Sequence, residues 1–240
     1  MNEQLASAID KTMIRSTPFD AATLLLVNFK NKVPTVLMGK RNNRHSFMPN
    51  KYVFPGGKVE QSDKKVNVGS TLNIVVEEQL LKRTRNPSPI KARSFALAAI
   101  RETFEETGLM LGRKNIGTPP LIPNTTWEHF STFGIFPCLD CLHFIARAVT
   151  PPEYPKRFDT RFFLADVMEV GHSIDFLTTP NTEFTDLIWV PLQQAKTLDI
   201  PSITEKIIEE AEIRIASKLS PFLSVPFFYK KRNSFVRELL

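Results

Sequence analysis

The chain has 240 residues, 42% of them hydrophobic and 23% charged, with a formal charge of +6. That is enough apolar material for a packed core in one elaborated domain, residues 1–240, and it excludes collagen-like, coiled-coil and globally disordered classes. No apolar run approaches the roughly 20 residues that span a bilayer, so no membrane partner is expected.

Met1 to Arg15 lacks the apolar stretch of a secretory signal and carries Glu3 and Asp10. The final Glu238-Leu239-Leu240 is not a peroxisomal tripeptide address. A cytoplasmic protein is the expectation. Much of the positive charge sits in residues 64–93, where seven basic side chains face two acidic ones, and Lys230, Lys231, Arg232 and Arg237 add a basic tail. Such a surface either steers small polyanions toward an acidic centre or is simply a solvated basic face. Nucleic acid is not expected, because no aromatic-rich recognition motif accompanies the charges.

In chain order, residues 1–14 read as a short helix, with Leu5, Ile9 and Met13 at spacing four. Ala22–Val27 and Thr35–Met38 read as strands, and Lys51–Phe54 as a third that delivers the chain into Gly56-Gly57. Leu72, Val75, Val76, Gln79 and Leu80 trace a helical stripe that stops before Pro87. Pro87 and Pro89 mark a loop that returns to a longer helix near Ser94. Leu142, Phe144, Ala146 and Ala148 alternate as on a strand until Pro151, Pro152 and Pro155 break the pattern. Phe158–Ala165 and Thr185–Val190 give two further strands. Ser202 with Glu205 forms a capping-box sequence, opening a helix striped by Ile203, Ile207, Ala211, Ile215 and Leu219. The order predicts an α+β protein, a mixed β-sheet sandwiched between helices, with no internal repeat.

Two segments carry the chemistry. One is the loop Phe54-Pro55-Gly56-Gly57-Lys58-Val59-Glu60; the other is the helix Ala98 to Thr107, closed by Gly108. At about 100° per residue, Leu97, Ile100 and Phe104 share one sector, and Glu102, Glu105 and Glu106 lie nearly opposite, with Arg101 on the border. Three carboxylates on one face repel unless cations compensate. They are hard oxygen ligands of the kind Mg²⁺ or Mn²⁺ takes. Taken alone, the same run also reads as a solvated helix face.

Together these residues resemble the Nudix hydrolase superfamily, whose signature is G-x5-E-x7-R-E-U-x-E-E-x-G-U with U aliphatic. Arg101-Glu102-Thr103-Phe104-Glu105-Glu106-Thr107-Gly108-Leu109 matches its second half, with Thr103 in an aliphatic slot. Five residues separate Gly57 from Asp63, which stands where the family has Glu. Residues 64–100 replace the seven-residue spacer, an excess of about 30. The interruption resembles the branch that contains the coenzyme A diphosphatases of Nudix 19, or RP2-like, type. Asp20–Leu26, Phe47-Met48-Pro49 and Arg157–Phe163 agree with that branch.

The resemblance implies the Nudix fold, an α/β/α sandwich with a helical insertion at 64–94 inside the Nudix box and a C-terminal extension at 220–240. It implies cleavage by water of the P–O–P bridge in a small-molecule diphosphate, with coenzyme A or acyl-coenzyme A suggested. Glu102, Glu105 and Glu106 would hold Mg²⁺ or Mn²⁺ with the Gly56 carbonyl, and an alkaline rate optimum would follow. Arg101 would orient the centre by pairing with an acid such as Glu60. The general base is either Glu183 or Glu102. A different coenzyme A signature, leading into Phe-Pro-Gly-Gly, is not matched, since Asn50 and Ser46 occupy its Gly and Arg positions. Nucleotide sugars, dinucleoside polyphosphates and NADH therefore stay open as substrates. An inactive nucleotide-binding module and an RNA-end hydrolase are the competing classes.

Arg41, Arg44, Arg157 and Arg161 are candidate phosphate contacts, and Arg157 and Arg161, four apart on a strand, would share a face. Gly57 would lie against the substrate, and Phe54, Phe47 and Trp127 would stack on a base or belong to the core. Cys138 and Cys141 are too few for a zinc site and read as reduced structural cysteines. The insertion reads as a helical flap over the site or as the interface of a homodimer.

Overall fold

The computed structural model describes residues 17–30, 33–43, 48–174, 183–232 and 234–240. The expected helix at 1–14, Arg44 and Phe47 lie outside them. The leading strand β1 (Phe19–Asn28) is buried on both faces: Ala22, Leu24 and Leu26 enter one core cluster, Leu25 and Val27 the other. That explains its near-continuous apolar run, because a strand covered on two sides has no reason to alternate.

β1 pairs antiparallel with β2 (Thr35–Arg41) and with β4 (Gly56–Lys58), and parallel with β7 (Phe158–Asp166). Beyond β7 the sheet continues through β6 (His143–Val149) to a hairpin of β10 (Pro226–Lys231) and β11 (Ser234–Leu239). On the other side, β3 (Tyr52–Val53) and β9 (Phe184–Pro191) pair with β2. Separately, β5 (Leu109–Leu111) pairs with β8 (Val170–Ser173). The helices are α1 (Ile74–Leu81), α2 (Pro89–Thr107), α3 (Trp127–Thr132), α4 (Leu192–Ala195) and α5 (Ser202–Ala216). Phe95, Ile100 and Phe104 of α2 pack on one sheet face, and Ile207, Ile208 and Ala211 of α5 on the other. The mixed sheet between helices is the α+β architecture read from the pattern.

Four local expectations change. The carboxylate helix begins at Pro89 rather than near Ser94: the Ser88 hydroxyl accepts the Lys91 N–H at 3.2 Å and Pro89 takes the first turn, where its missing N–H costs nothing. The Ser202/Glu205 capping box does not form, because Pro201 occupies the cap position of α5 and no side chain caps it. β4 is an unforeseen strand. Finally, the tail is part of the sheet, with β10 parallel to β6.

Residues 64–94 are built into the core rather than standing off it as a flap. Val76 and Leu80 of α1 are buried, and the Gln79 amide donates to the carbonyls of Leu223 (3.2 Å) and Pro221 (3.4 Å). Among the described residues no helix is long and apolar enough to cross a membrane.

Candidate active site

The glycine loop and the acidic helix meet because β4 is pinned to β1. Gly57 pairs with Ala22, Gly56 with Thr23, and the Leu24 N–H donates to the Pro55 carbonyl at 2.9 Å. Their approach to α2 is so close that a Cβ on Gly57 would lie 2.3 Å from Glu102 Oε1. Only glycine leaves that carboxylate where it is. At the far end of α2, Gly108 adopts φ +76° and its N–H donates to the Phe104 carbonyl at 2.8 Å, the left-handed cap expected of it. Thr103 fits its aliphatic slot because its buried hydroxyl donates to the Ala99 carbonyl at 2.8 Å.

Arg101 is the hub. Its Nε donates to Asp63 Oδ1 (2.9 Å), Nη2 to Asp63 Oδ2 (3.3 Å) and the Lys58 carbonyl (2.7 Å), and Nη1 to Glu102 Oε1 and Glu105 Oε2 (both 2.9 Å). Glu60, the partner suggested by its place in the loop, is exposed and 4.0 Å away. Asp63 takes that role because the 3₁₀ turn Ser62–Lys65 folds it inward to 0% exposure. There it also accepts the Glu60 N–H (2.8 Å) and Trp127 Nε1 (3.1 Å). Burial opposes the charge on Arg101, but the pull of Asp63, Glu102 and Glu105 outweighs it and holds the guanidinium more firmly protonated.

Glu106 is the most demanding group. Its Oε2 accepts the Gly56 N–H at 3.0 Å, while Oε1 is buried without a donor among the described residues. Burial, then the charges of Glu183 and Glu102, push its pKa well above the carboxylate range, with Arg41 opposing and a carboxyl–carboxyl contact with Glu183 adding to the rise. Burial likewise pushes Glu102 up to about 7, against the pull of Arg101. Glu183 leads into β9 opposite Arg41, which ends β2, and pairs with it at 3.0 Å. Thus an acid 77 residues beyond Glu106 in sequence stands beside it in the fold.

Glu105 leans toward Arg101 and accepts a hydrogen bond from Thr126. Among the described residues no three His, Cys, Asp or Glu side chains stand as a preformed ligand set. The donor chemistry nevertheless suits Mg²⁺ or Mn²⁺. Glu102, Glu105 and Glu106 are hard oxygen donors with Glu183 beside them, and Glu106 Oε1 is a desolvated oxygen, without a donor among the described residues, that a dication would satisfy.

Other candidates lie elsewhere. Arg161 is buried under the sheet, 3.8 Å over the Phe95 ring, and donates to Asp20 (3.0 Å) and Thr84 (3.1 Å). Arg157 precedes β7, rather than lying on it with Arg161, and donates to the Thr150 carbonyl at 3.0 Å. Phe54 and Trp127 are buried core rings with no face open for stacking. Cys138 and Cys141 are free thiols, and burial raises the pKa of both. Sequence reasoning missed the roles of Trp127, Thr126 and the Lys58 carbonyl; only Asp63 carried a signal, its spacing from Gly57.

No family model matches the chain. It is 29% identical over 158 residues to the putative nudix hydrolase 7 of Caenorhabditis elegans, covering 62% of this chain and 45% of that protein. With the acyl-coenzyme A diphosphatase NUDT19 of Xenopus laevis it shares 33% identity over 94 residues, 32% of this chain and 25% of that one. The chain therefore spans less than half the length of either relative. A crystal structure of a NUDIX hydrolase from Alicyclobacillus acidocaldarius superposes with a TM-score of 0.61 at 26% identity, over 84% of this chain and 96% of that one.

Proposed function

We propose that this chain, which belongs to the Nudix hydrolase family, hydrolyses the diphosphate bridge of a nucleoside diphosphate linked to another moiety, with coenzyme A or acyl-coenzyme A the favoured class. The observation that carries this reading is the buried Glu106 carboxylate beside Glu102 and Glu183, with one oxygen on the Gly56 N–H and the other without a donor among the described residues. The substrate class rests on the acyl-coenzyme A diphosphatase relative and the interrupted-box pattern.

Glu102, Glu105, Glu106 and the Gly56 carbonyl are the proposed ligands of Mg²⁺ or Mn²⁺. When bound, such an ion neutralises phosphate oxygens and lowers the pKa of a coordinated water. Glu183 is the proposed general base: Arg41 fixes it, and it adjoins Glu106. Glu102 is the second candidate, a carboxylate of the same cluster that adjoins Glu106 and is held by Arg101. Arg101 orients Glu102 and Glu105 and ties them to the loop through Asp63 and Lys58. Arg41 remains a phosphate contact only if it leaves Glu183, and Gly57 provides the close backbone approach.

A panel of coenzyme A, acyl-coenzyme A, nucleotide sugars, diadenosine polyphosphates and NADH, assayed for cleavage with Mg²⁺ and with Mn²⁺, tests the reading. Turnover is expected on coenzyme A substrates and lost in Glu105→Gln/Glu106→Gln. Tight binding without turnover of any diphosphate would overturn it. Glu183→Gln should lower kcat by about 10²–10⁴ while leaving KM near the wild type if Glu183 is the base; an unchanged kcat there, with the loss in Glu102→Gln, assigns the role to Glu102.

A further inference from the structure

Beside the glycine loop lies a groove of about 560 Å³, within the size range of small-molecule sites. Lys58, Lys64 and Lys91 line it, against the carboxylates of Asp20 and Glu60. Asp20 is already engaged, pairing with Lys91 and Arg161 (both 3.0 Å), whereas Glu60 is an exposed acid at the groove's edge, 4.0 Å from Arg101. Among the described residues neither Lys58 nor Lys64 has a carboxylate partner: Lys58 Nζ sits 4.1 Å over the Phe19 ring, and Lys64 Nζ donates to the Gln61 side-chain oxygen at 3.0 Å. Two exposed cations thus flank a groove with apolar walls at Phe19, Val59 and Ile90.

The groove and the acid cluster share two elements. Glu60 reaches from the groove toward Arg101, and Lys58, whose side chain lines the groove, gives its carbonyl to Arg101. Ser94 lines the groove on α2, and Glu102 follows eight residues later, roughly 12 Å along the helix axis. A nucleoside arm ending in a phosphate spans that range.

We propose that this groove is an anion subsite, in which Lys58 and Lys64 bind a phosphate on the non-reacting arm of the substrate. The inference rests on the diphosphatase reading and narrows it: preferred substrates carry a phosphate beyond the two of the scissile bridge. Lys58 and Lys64 would act as specificity determinants, lowering KM without touching the reacting atoms.

Two measurements test it. In the first, coenzyme A and 3′-dephospho-coenzyme A, identical at the scissile bridge, are compared with the wild type and Lys58→Ala/Lys64→Ala. The wild type should favour coenzyme A about tenfold in kcat/KM, through KM, and the variant should lose that preference. In the second, calorimetry compares adenosine 3′,5′-bisphosphate with AMP, which needs no turnover. The wild type should bind the bisphosphate about tenfold more tightly, and the variant should bind both alike. No preference in the wild type, or the same preference in the variant, overturns the subsite. Absence of hydrolysis with an intact, lysine-dependent preference in binding overturns the hydrolase reading alone.

Discussion

Asp63 and Arg101 meet in the interior, with Nε 2.9 Å from Oδ1 and neither residue more than 1% exposed. Among the described residues, four donors reach the Asp63 carboxylate from three parts of the site: two from Arg101 on α2, one from the Glu60 main chain and one from Trp127 on α3. One acid therefore locks the loop, the helix and the segment after it.

Removing it leaves a buried cation short of its main counter-charge. Asp63→Ala should lower stability by about 3–5 kcal/mol, the usual cost of halving a buried ion pair. Urea unfolding measures this; a loss below about 1 kcal/mol would show that Glu102 and Glu105 suffice to hold Arg101.

Arg101→Lys keeps the charge and loses the fork. A lysine cannot serve Asp63, Lys58, Glu102 and Glu105 together, because its donors radiate from one nitrogen. The variant should fold, retaining its far-ultraviolet circular dichroism, while kcat/KM falls by roughly 10², as expected when catalytic groups are misplaced by about 1 Å. Activity within threefold of the wild type would mean that Arg101 is structural only.

Gly57→Ala separates folding from function. The new Cβ would meet the end of a flexible glutamate rather than backbone, so Glu102 can swing aside. Stability should change by less than about 1 kcal/mol while Mn²⁺ affinity and turnover both drop. Equal losses in stability and activity would place the clash in the loop itself.

His143 opens β6 half-buried, and burial, with Arg214 nearby, holds its pKa below the usual value. The fold thus prefers the neutral ring, and the unfolded chain takes up the proton more readily as pH falls below about 6.5. Stability should be full above that pH and decline below it, and His143→Gln should flatten the decline. Thermal melts between pH 5 and 8 read it; identical slopes for both proteins would exclude His143 as the cause.

The legible parts of the sequence were those where one residue type has one physical use. Gly108 was readable as a left-handed cap because few other residues adopt that conformation, and the α2 stripe because Leu97, Ile100 and Phe104 keep helical spacing. β4 was hidden because two glycines and a lysine carry no apolar alternation. The role of fixing loop to helix suits an acid such as Glu60 for Arg101, but the turn after it buries Asp63, which makes the close contacts while Glu60 stays exposed at 4.0 Å. Arg161 looked like a phosphate contact, yet its strand faces α2 and the guanidinium is spent on Asp20, Asp159 and Phe95. The pairing of Glu183 with Arg41 depends on the β2–β9 register, which no local pattern encodes.

Mn²⁺ titration by electron paramagnetic resonance, on the wild type and Glu106→Gln side by side, probes the acidic centre most directly. The wild type should bind Mn²⁺, and the variant, having lost the buried carboxylate but not its hydrogen bond to the Gly56 N–H, should bind it at least tenfold more weakly. Equal affinity in the two proteins would mean that no cation is held between the glycine loop and the acidic flank of α2.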